Sequence, residues 1–108
     1  MSYNVKSIAV FEKQAKKLVK KYASLKSELL ELVQSLKNNP KIGVPLGKNC
    51  FKIRISVISK GKGKSGGARI ITNFVIADNT VYLLSIYDKS EKETISDDEL
   101  KELLKYIP

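Results

Sequence analysis

Phe51-Lys52-Ile53-Arg54-Ile55-Ser56-Val57 reads FKIRISV, and its strict alternation decides the fold. Side chains on a strand point to opposite faces with a period of two, so Phe51, Ile53, Ile55 and Val57 look into a core while Lys52, Arg54 and Ser56 look outward. A half-buried strand of this kind needs neighbours. Two further runs supply them, Arg69 to Ile76 and Val81 to Tyr87, both rich in β-branched and aromatic residues, with Asp78-Asn79 between them as a tight hairpin turn.

Upstream the period changes. After a short apolar segment from Val5 to Val10, which reads as an opening strand, Phe11, Ala15, Leu18, Val19 and Tyr22 recur on one helical face. Ser24 stands as the N-cap of a second amphipathic helix carrying Leu25, Leu29, Leu32, Val33 and Leu36, which Asn38-Asn39-Pro40 ends. So short a join makes an antiparallel helical hairpin. The stretch holding Pro40, Gly43, Pro45 and Gly47 reads as a loop, and Ser96-Asp97-Asp98-Glu99 is a capping box opening a last helix with Leu100, Leu103, Leu104 and Ile107. The expected architecture is α+β, ordered β-α-α-β-β-β-α: an antiparallel sheet packed against an N-terminal helical hairpin and a C-terminal helix, in one domain spanning 1–108.

Composition narrows function. The chain has 20 lysines and arginines against 11 acidic residues, a formal charge of +9, which favours a polyanionic partner, nucleic acid first. A merely solubilising surface is the competing reading. The N-terminus lacks the apolar run of a signal peptide, no segment approaches membrane-spanning length, and the single cysteine, Cys50, cannot close a disulfide within the chain. The expected setting is the reducing cytoplasm, with no membrane contact.

The segment Ser59-Lys60-Gly61-Lys62-Gly63-Lys64-Ser65-Gly66-Gly67-Ala68-Arg69 contains Gly-Lys-Ser, the ending of a phosphate-binding P-loop. That motif needs a glycine five residues before its last one, where Ile58 stands, and a helix after it, where the sequence is strand-like. Nucleotide hydrolysis is excluded. Absence of histidine excludes an imidazole-based triad or ribonuclease pair, and with one cysteine it leaves no set of zinc ligands. The acidic group Glu91, Glu93, Asp97, Asp98 and Glu99 is accounted for by the start of the last helix, so no metal or other cofactor is expected.

What remains is cationic. Lys52 and Arg54 share an outward face, their strand feeds the lysine-glycine loop, and the loop returns at Arg69. If sequential strands pair, Lys52, Arg54, Lys60, Lys62, Lys64 and Arg69 form one patch, which Tyr87 and Lys89 can reach. Such a mixture suits RNA. Solvated lysines at a mobile hairpin tip are the alternative for Lys60 and Lys62.

The order of elements, Cys50-Phe51-Lys52-Ile53-Arg54-Ile55, Lys64-Ser65-Gly66-Gly67-Ala68-Arg69 and Tyr87-Asp88-Lys89-Ser90-Glu91-Lys92 together resemble the RelE/HigB family of bacterial type II toxins, the Lys-Ser-Gly-Gly-x-Arg segment most like its HigB-type branch. The resemblance implies a ribosome-dependent endoribonuclease that cuts messenger RNA in the A site and is neutralised by a cognate antitoxin. It also implies catalytic roles. Lys52 and Arg54 match paired basic strand positions, Arg69 the arginine gripping the scissile phosphate, and Lys89 a basic residue that protonates the leaving oxygen. Where some relatives carry a catalytic tyrosine this chain has Thr94-Ile95, which leaves Tyr87 as the candidate for base stacking. Two rival functions share these features: a ParE-like poison of DNA gyrase and a non-catalytic basic RNA- or ribosome-binding module.

Overall fold

The computed structural model describes residues 2–61 and 66–108. The elements are β1 (Asn4–Ser7), α1 (Ala9–Lys21), α2 (Leu25–Asn38), β2 (Val44–Gly47), β3 (Cys50–Ile55), β4 (Ala68–Val75), β5 (Thr80–Asp88) and α3 (Asp97–Leu104). They build a five-stranded sheet in the order β1-β5-β4-β3-β2. The α+β class holds, with the helical hairpin and the C-terminal helix where the apolar periods put them.

Three particulars differ from the sequence reading. First, β1 pairs with β5 in parallel, Asn4 opposite Thr80 through Ser7 opposite Leu83, so the sheet is mixed rather than wholly antiparallel. The crossover from β1 to β5 consists of everything between them. Second, the supposed loop around Pro45 contains β2. Proline is tolerated there because β2 is an edge strand, with a register shift between Pro45 and Gly47. Lys48 and Asn49 both have positive φ, 55° and 59°, as a two-residue hairpin turn of the primed kind requires. Asn73 Nδ2 steadies that turn by donating to Lys48 O at 2.9 Å. Third, β4 and β5 are joined not by a two-residue turn but by a 3-10 turn over Ile76–Asp78 followed by Asn79 at φ 50°.

Gly43 has φ 109°, and a Cβ there would stand 2.6 Å from Lys52 O, so backbone approaches backbone where only glycine fits. Ser24 precedes α2 as expected but adopts helical angles and makes no cap bond. Its hydroxyl instead accepts from Ser59 N at 2.9 Å and donates to Glu28 Oε1 at 3.1 Å, tying the start of α2 to the turn at Ile58–Lys60.

All of β5 and nearly all of β4 are buried at consecutive positions, and therefore on both faces. The α1–α2 hairpin lies on the face carrying Asp88, which Tyr22 reaches from the end of α1. The segment running into α3 covers the face carrying Tyr87, where Lys92 lies over the ring. Ser96 caps α3 by accepting from Glu99 N at 3.1 Å, with Glu99 returning to Ser96 N, as the capping box predicts. Beyond the end of β1 the edge of β5 is closed by α1: Gln14 Oε1 accepts from Ile86 N and from Ser85 Oγ, both at 3.0 Å.

Candidate functional site

Register places the cations. In the β3–β4 pair Arg54 stands opposite Arg69, and in the β4–β5 pair Arg69 stands opposite Tyr87. Directly opposed residues share a face with Cβ atoms about 4.5–5.5 Å apart. Arg54, Arg69 and Tyr87 thus form one row across three strands. Lys52 lies in the next row, opposite Ile71, on the same face. Lys89 follows the end of β5 and donates its N–H to Gly67 O at 3.1 Å, which carries the β4–β5 pairing one step further at the end where Arg69 begins. Its Nζ sits 3.4 Å from Glu93 Oε1. Lys52, Arg54, Arg69 and Lys89 therefore occupy one region of the sheet.

Their exposure is unequal. Arg54 is exposed and Lys52 half-buried, whereas Arg69 is 3% exposed. Burial, and then the charge of Arg54, pulls the Arg69 guanidinium below its ordinary basicity. Arg69 Nη1 donates to Ala68 O at 3.2 Å. Two guanidinium groups opposed across a ladder repel one another, and an anion between them would remove that repulsion.

Tyr87 differs from the stacking platform expected of it. It is 8% exposed, its ring lies under Lys92 Nζ at 5.5 Å, and its hydroxyl has no hydrogen-bond partner among the described residues. Burial pushes that phenol up, against the influence of Arg69. With its ring covered in this way, Tyr87 packs beside Arg69 and presents no open face to a base.

Lys60 also departs from expectation. Its ammonium is ion-paired with Asp88 and donates to Gly66 O at 2.5 Å and Gly67 O at 3.4 Å, with 8% of the side chain exposed. Asp88 in turn accepts from Tyr22 Oη at 2.6 Å, Ser90 Oγ at 2.7 Å and Ser90 N at 2.9 Å. The expected RNA contact at Lys60 is corrected to an internal tie between the start of β4, the end of β5 and the end of α1. Sequence parity carried a signal for it: Tyr87 faces one way, so Asp88 faces the helical hairpin, and a carboxylate turned inward needs a cation. Lys62 and Lys64, the remaining expected RNA contacts, lie outside the described residues.

Among the described residues there is no group of three or more His, Cys, Asp or Glu side chains able to hold a metal ion. No helix there is long and apolar enough to cross a membrane.

Residues 8–107 match the family described as the RelE toxin of the RelE/RelB toxin–antitoxin system. Among solved structures, a mutant of the E. coli toxin RelE in the free state superposes with a TM-score of 0.68 at 17% identity, covering 100% of both chains. The toxin in the intact E. coli RelBE toxin–antitoxin complex gives 0.62 at 17% identity, covering 81% of this chain and 96% of the other. The toxin–antitoxin complex RelBE2 from Mycobacterium tuberculosis gives 0.59 at 17% identity, covering 82% and 92%. These likenesses are to the fold. Assignment to the HigB-type branch rests on the segment from Lys64 to Arg69 alone.

Proposed function

Because the chain belongs to the RelE family of toxins of toxin–antitoxin systems, we propose that it is a ribosome-dependent endoribonuclease that inhibits translation by cutting messenger RNA in the A site. The observation that carries this reading is the opposition of Arg54 and Arg69 across adjacent strands. Sheets disfavour like charges in that relation, and a phosphate received beside the pair offsets that cost. Planar guanidinium forks match phosphate oxygens.

The reaction needs no histidine, since RNA carries its own nucleophile. The ribose 2′-oxygen bonds to phosphorus, the bond to the 5′-oxygen breaks, and a 2′,3′-cyclic phosphate and a free 5′-hydroxyl result. Lys52 assists removal of the 2′-proton, Arg54 and Arg69 hold the charge that develops on the phosphoryl oxygens, and the Lys89 ammonium supplies the proton taken up by the departing oxygen. Exposed Arg54 meets the phosphate first. Arg69, at 3% exposure, is reached after it.

Arg69→Ala tests this. Loss of one donor to developing charge lowers cleavage by about a hundredfold or more. Primer extension on ribosome-bound message, with circular dichroism to confirm folding, reads the outcome. A folded variant with near-normal cleavage overturns the assignment. Wild-type protein that leaves the message uncut but damages DNA through gyrase, or that binds ribosomes without cutting, overturns the function itself. The cognate antitoxin is proposed as the partner that holds the protein inactive, since the E. coli and M. tuberculosis relatives are found in complex with theirs.

A further inference from the structure

Helix α1 carries five lysines against the single acid Glu12. Four of them, Lys13, Lys16, Lys17 and Lys20, recur at intervals of three, four and seven, which aligns them along one side of a helix. All four are exposed, while the opposite side buries Phe11 and Ala15. The usual explanation for such a run is a solvated surface; what sets α1 apart is that four such cations share one side of one helix, whereas the other lysines without an ion pair among the described residues, such as Lys6, Lys41 and Lys48, are scattered over separate elements. Lys21, Lys60, Lys89, Lys92 and Lys105 each have a carboxylate within ion-pair distance. None of the four does among the described residues. The neighbouring α2 balances Lys26 and Lys37 with Glu28 and Glu31, and α3 is acidic apart from Lys101. Positive charge is therefore gathered on α1 and left without counter-charge, which concentrates the field there.

This stripe is separate from the reaction site. Gln14, beside it on α1, seals the β5 edge, whereas Arg54 and Lys52 lie on β3, with β4 intervening. At 1.5 Å per residue, Lys13 and Lys20 stand about 10 Å apart along the axis, a length that takes in two successive phosphates of one strand. No aromatic residue is exposed on α1, so no platform for an unstacked base exists beside the lysines. Flexible point charges without arginine forks or rings suit a regular sugar-phosphate backbone.

We propose that the lysine face of α1 is a second RNA-binding surface, one that docks the backbone of double-helical RNA and leaves the chemistry to the β3–β4 face. This rests on the reading of the protein as one that acts on ribosome-bound RNA. It assigns to α1 the work of holding structured RNA while the message is cut elsewhere.

The test compares wild type with a variant in which Lys13, Lys16, Lys17 and Lys20 are all replaced by Gln, using a short blunt RNA duplex as probe. Log Kd against log salt should be shallower for the variant by about 1.5 units, close to 0.7–0.9 for each of the two phosphates met. Replacing the same four with Arg should restore the wild-type slope, which a purely structural role would not require. On programmed ribosomes the Gln variant should show a raised KM with kcat unchanged, and Arg69→Ala should show the converse, duplex binding retained and cleavage lost. Equal duplex affinity and slope for the Gln variant and wild type overturns the proposal, as does a loss confined to anionic lipid vesicles or an acidic peptide. Duplex binding is read without cleavage, so failure of the nuclease reading and failure of this surface are distinguishable. Should the fourfold variant not fold, the pairs Lys13→Gln/Lys17→Gln and Lys16→Gln/Lys20→Gln each lower the slope by about half as much.

Discussion

Removing the Asp88 carboxylate should be among the most damaging single changes available in this protein. Its side chain is 1% exposed and receives four donors: the Lys60 ammonium, the Tyr22 hydroxyl, and both the hydroxyl and backbone N–H of Ser90. Asp88→Ala leaves the Lys60 ammonium buried without a counter-charge, against carbonyl dipoles, the Ser90 hydroxyl and the Tyr22 ring, and strands the Tyr22 hydroxyl. Breaking a buried pair from one side costs about 3–5 kcal/mol, a large part of the total stability of a domain this size. Lys60→Met should cost less, about 2–3 kcal/mol, because the carboxylate it abandons keeps three neutral donors. The double variant Lys60→Met/Asp88→Leu should be more stable than Asp88→Ala, since no unpaired charge remains. Urea unfolding followed by circular dichroism measures all three. Acid supplies an independent arm. Burial alone would push the Asp88 carboxyl up, yet the bonds from Lys60, Tyr22 and Ser90 outweigh it and hold the group well below the usual carboxylate range. Its stabilisation is therefore complete above the unfolded value of about 3.9 and lost as pH falls below it, with a slope of at most about 1.4 kcal/mol per pH unit. Asp88→Ala should flatten that slope. An Asp88→Ala protein within about 1 kcal/mol of wild type at pH 7, with an unchanged acid slope, would refute the account.

Other outcomes follow from single contacts. Tyr87→Phe removes a buried hydroxyl without a partner among the described residues and should leave stability unchanged or raised by up to about 1 kcal/mol in the same urea assay. It should also leave cleavage near wild type, because the phenol is assigned no chemistry. Gly43→Ala forces a Cβ to 2.6 Å from Lys52 O at φ 109° and should lower the midpoint of thermal unfolding, at a cost of about 2 kcal/mol or more. Ser96→Ala removes the cap of α3 and should cost about 1 kcal/mol, read as faster hydrogen exchange confined to residues 97–104.

The fold was largely legible because its signals are local. Alternation in FKIRISV, the helical periods of α1 and α2 and the capping box at Ser96 all depend on a few consecutive residues. What escaped depends on partners distant in the chain. Nothing in Asn4–Ser7 announces that it will lie parallel to Thr80–Leu83, and Pro45 masks β2 because an edge position excuses it. At the site, placing Lys52, Arg54 and Arg69 on one face required only parity and sequential pairing. Parity turned Asp88 inward but did not name Lys60 as its partner, and it said nothing of how deeply Tyr87 is covered. Exposure depends on what covers a face: Lys92, from the segment after Asp88, lies over Tyr87, and Lys60 meets Asp88 and the carbonyls before β4, neither of which a short-range pattern prescribes. Ser24 shows the same limit: its hydroxyl found Ser59 rather than the amides of its own helix.

The position of β5 has a temporal consequence. The last of these five strands in chain order is inserted between β1 and β4, whose facing edges are unpaired without it. A chain stopped short of Thr80 lacks both the anchor at Asp88 and the wall beside Arg69. The face carrying Arg54 and Arg69 is therefore completed only once β5 is in place, however early the strands beside it have emerged.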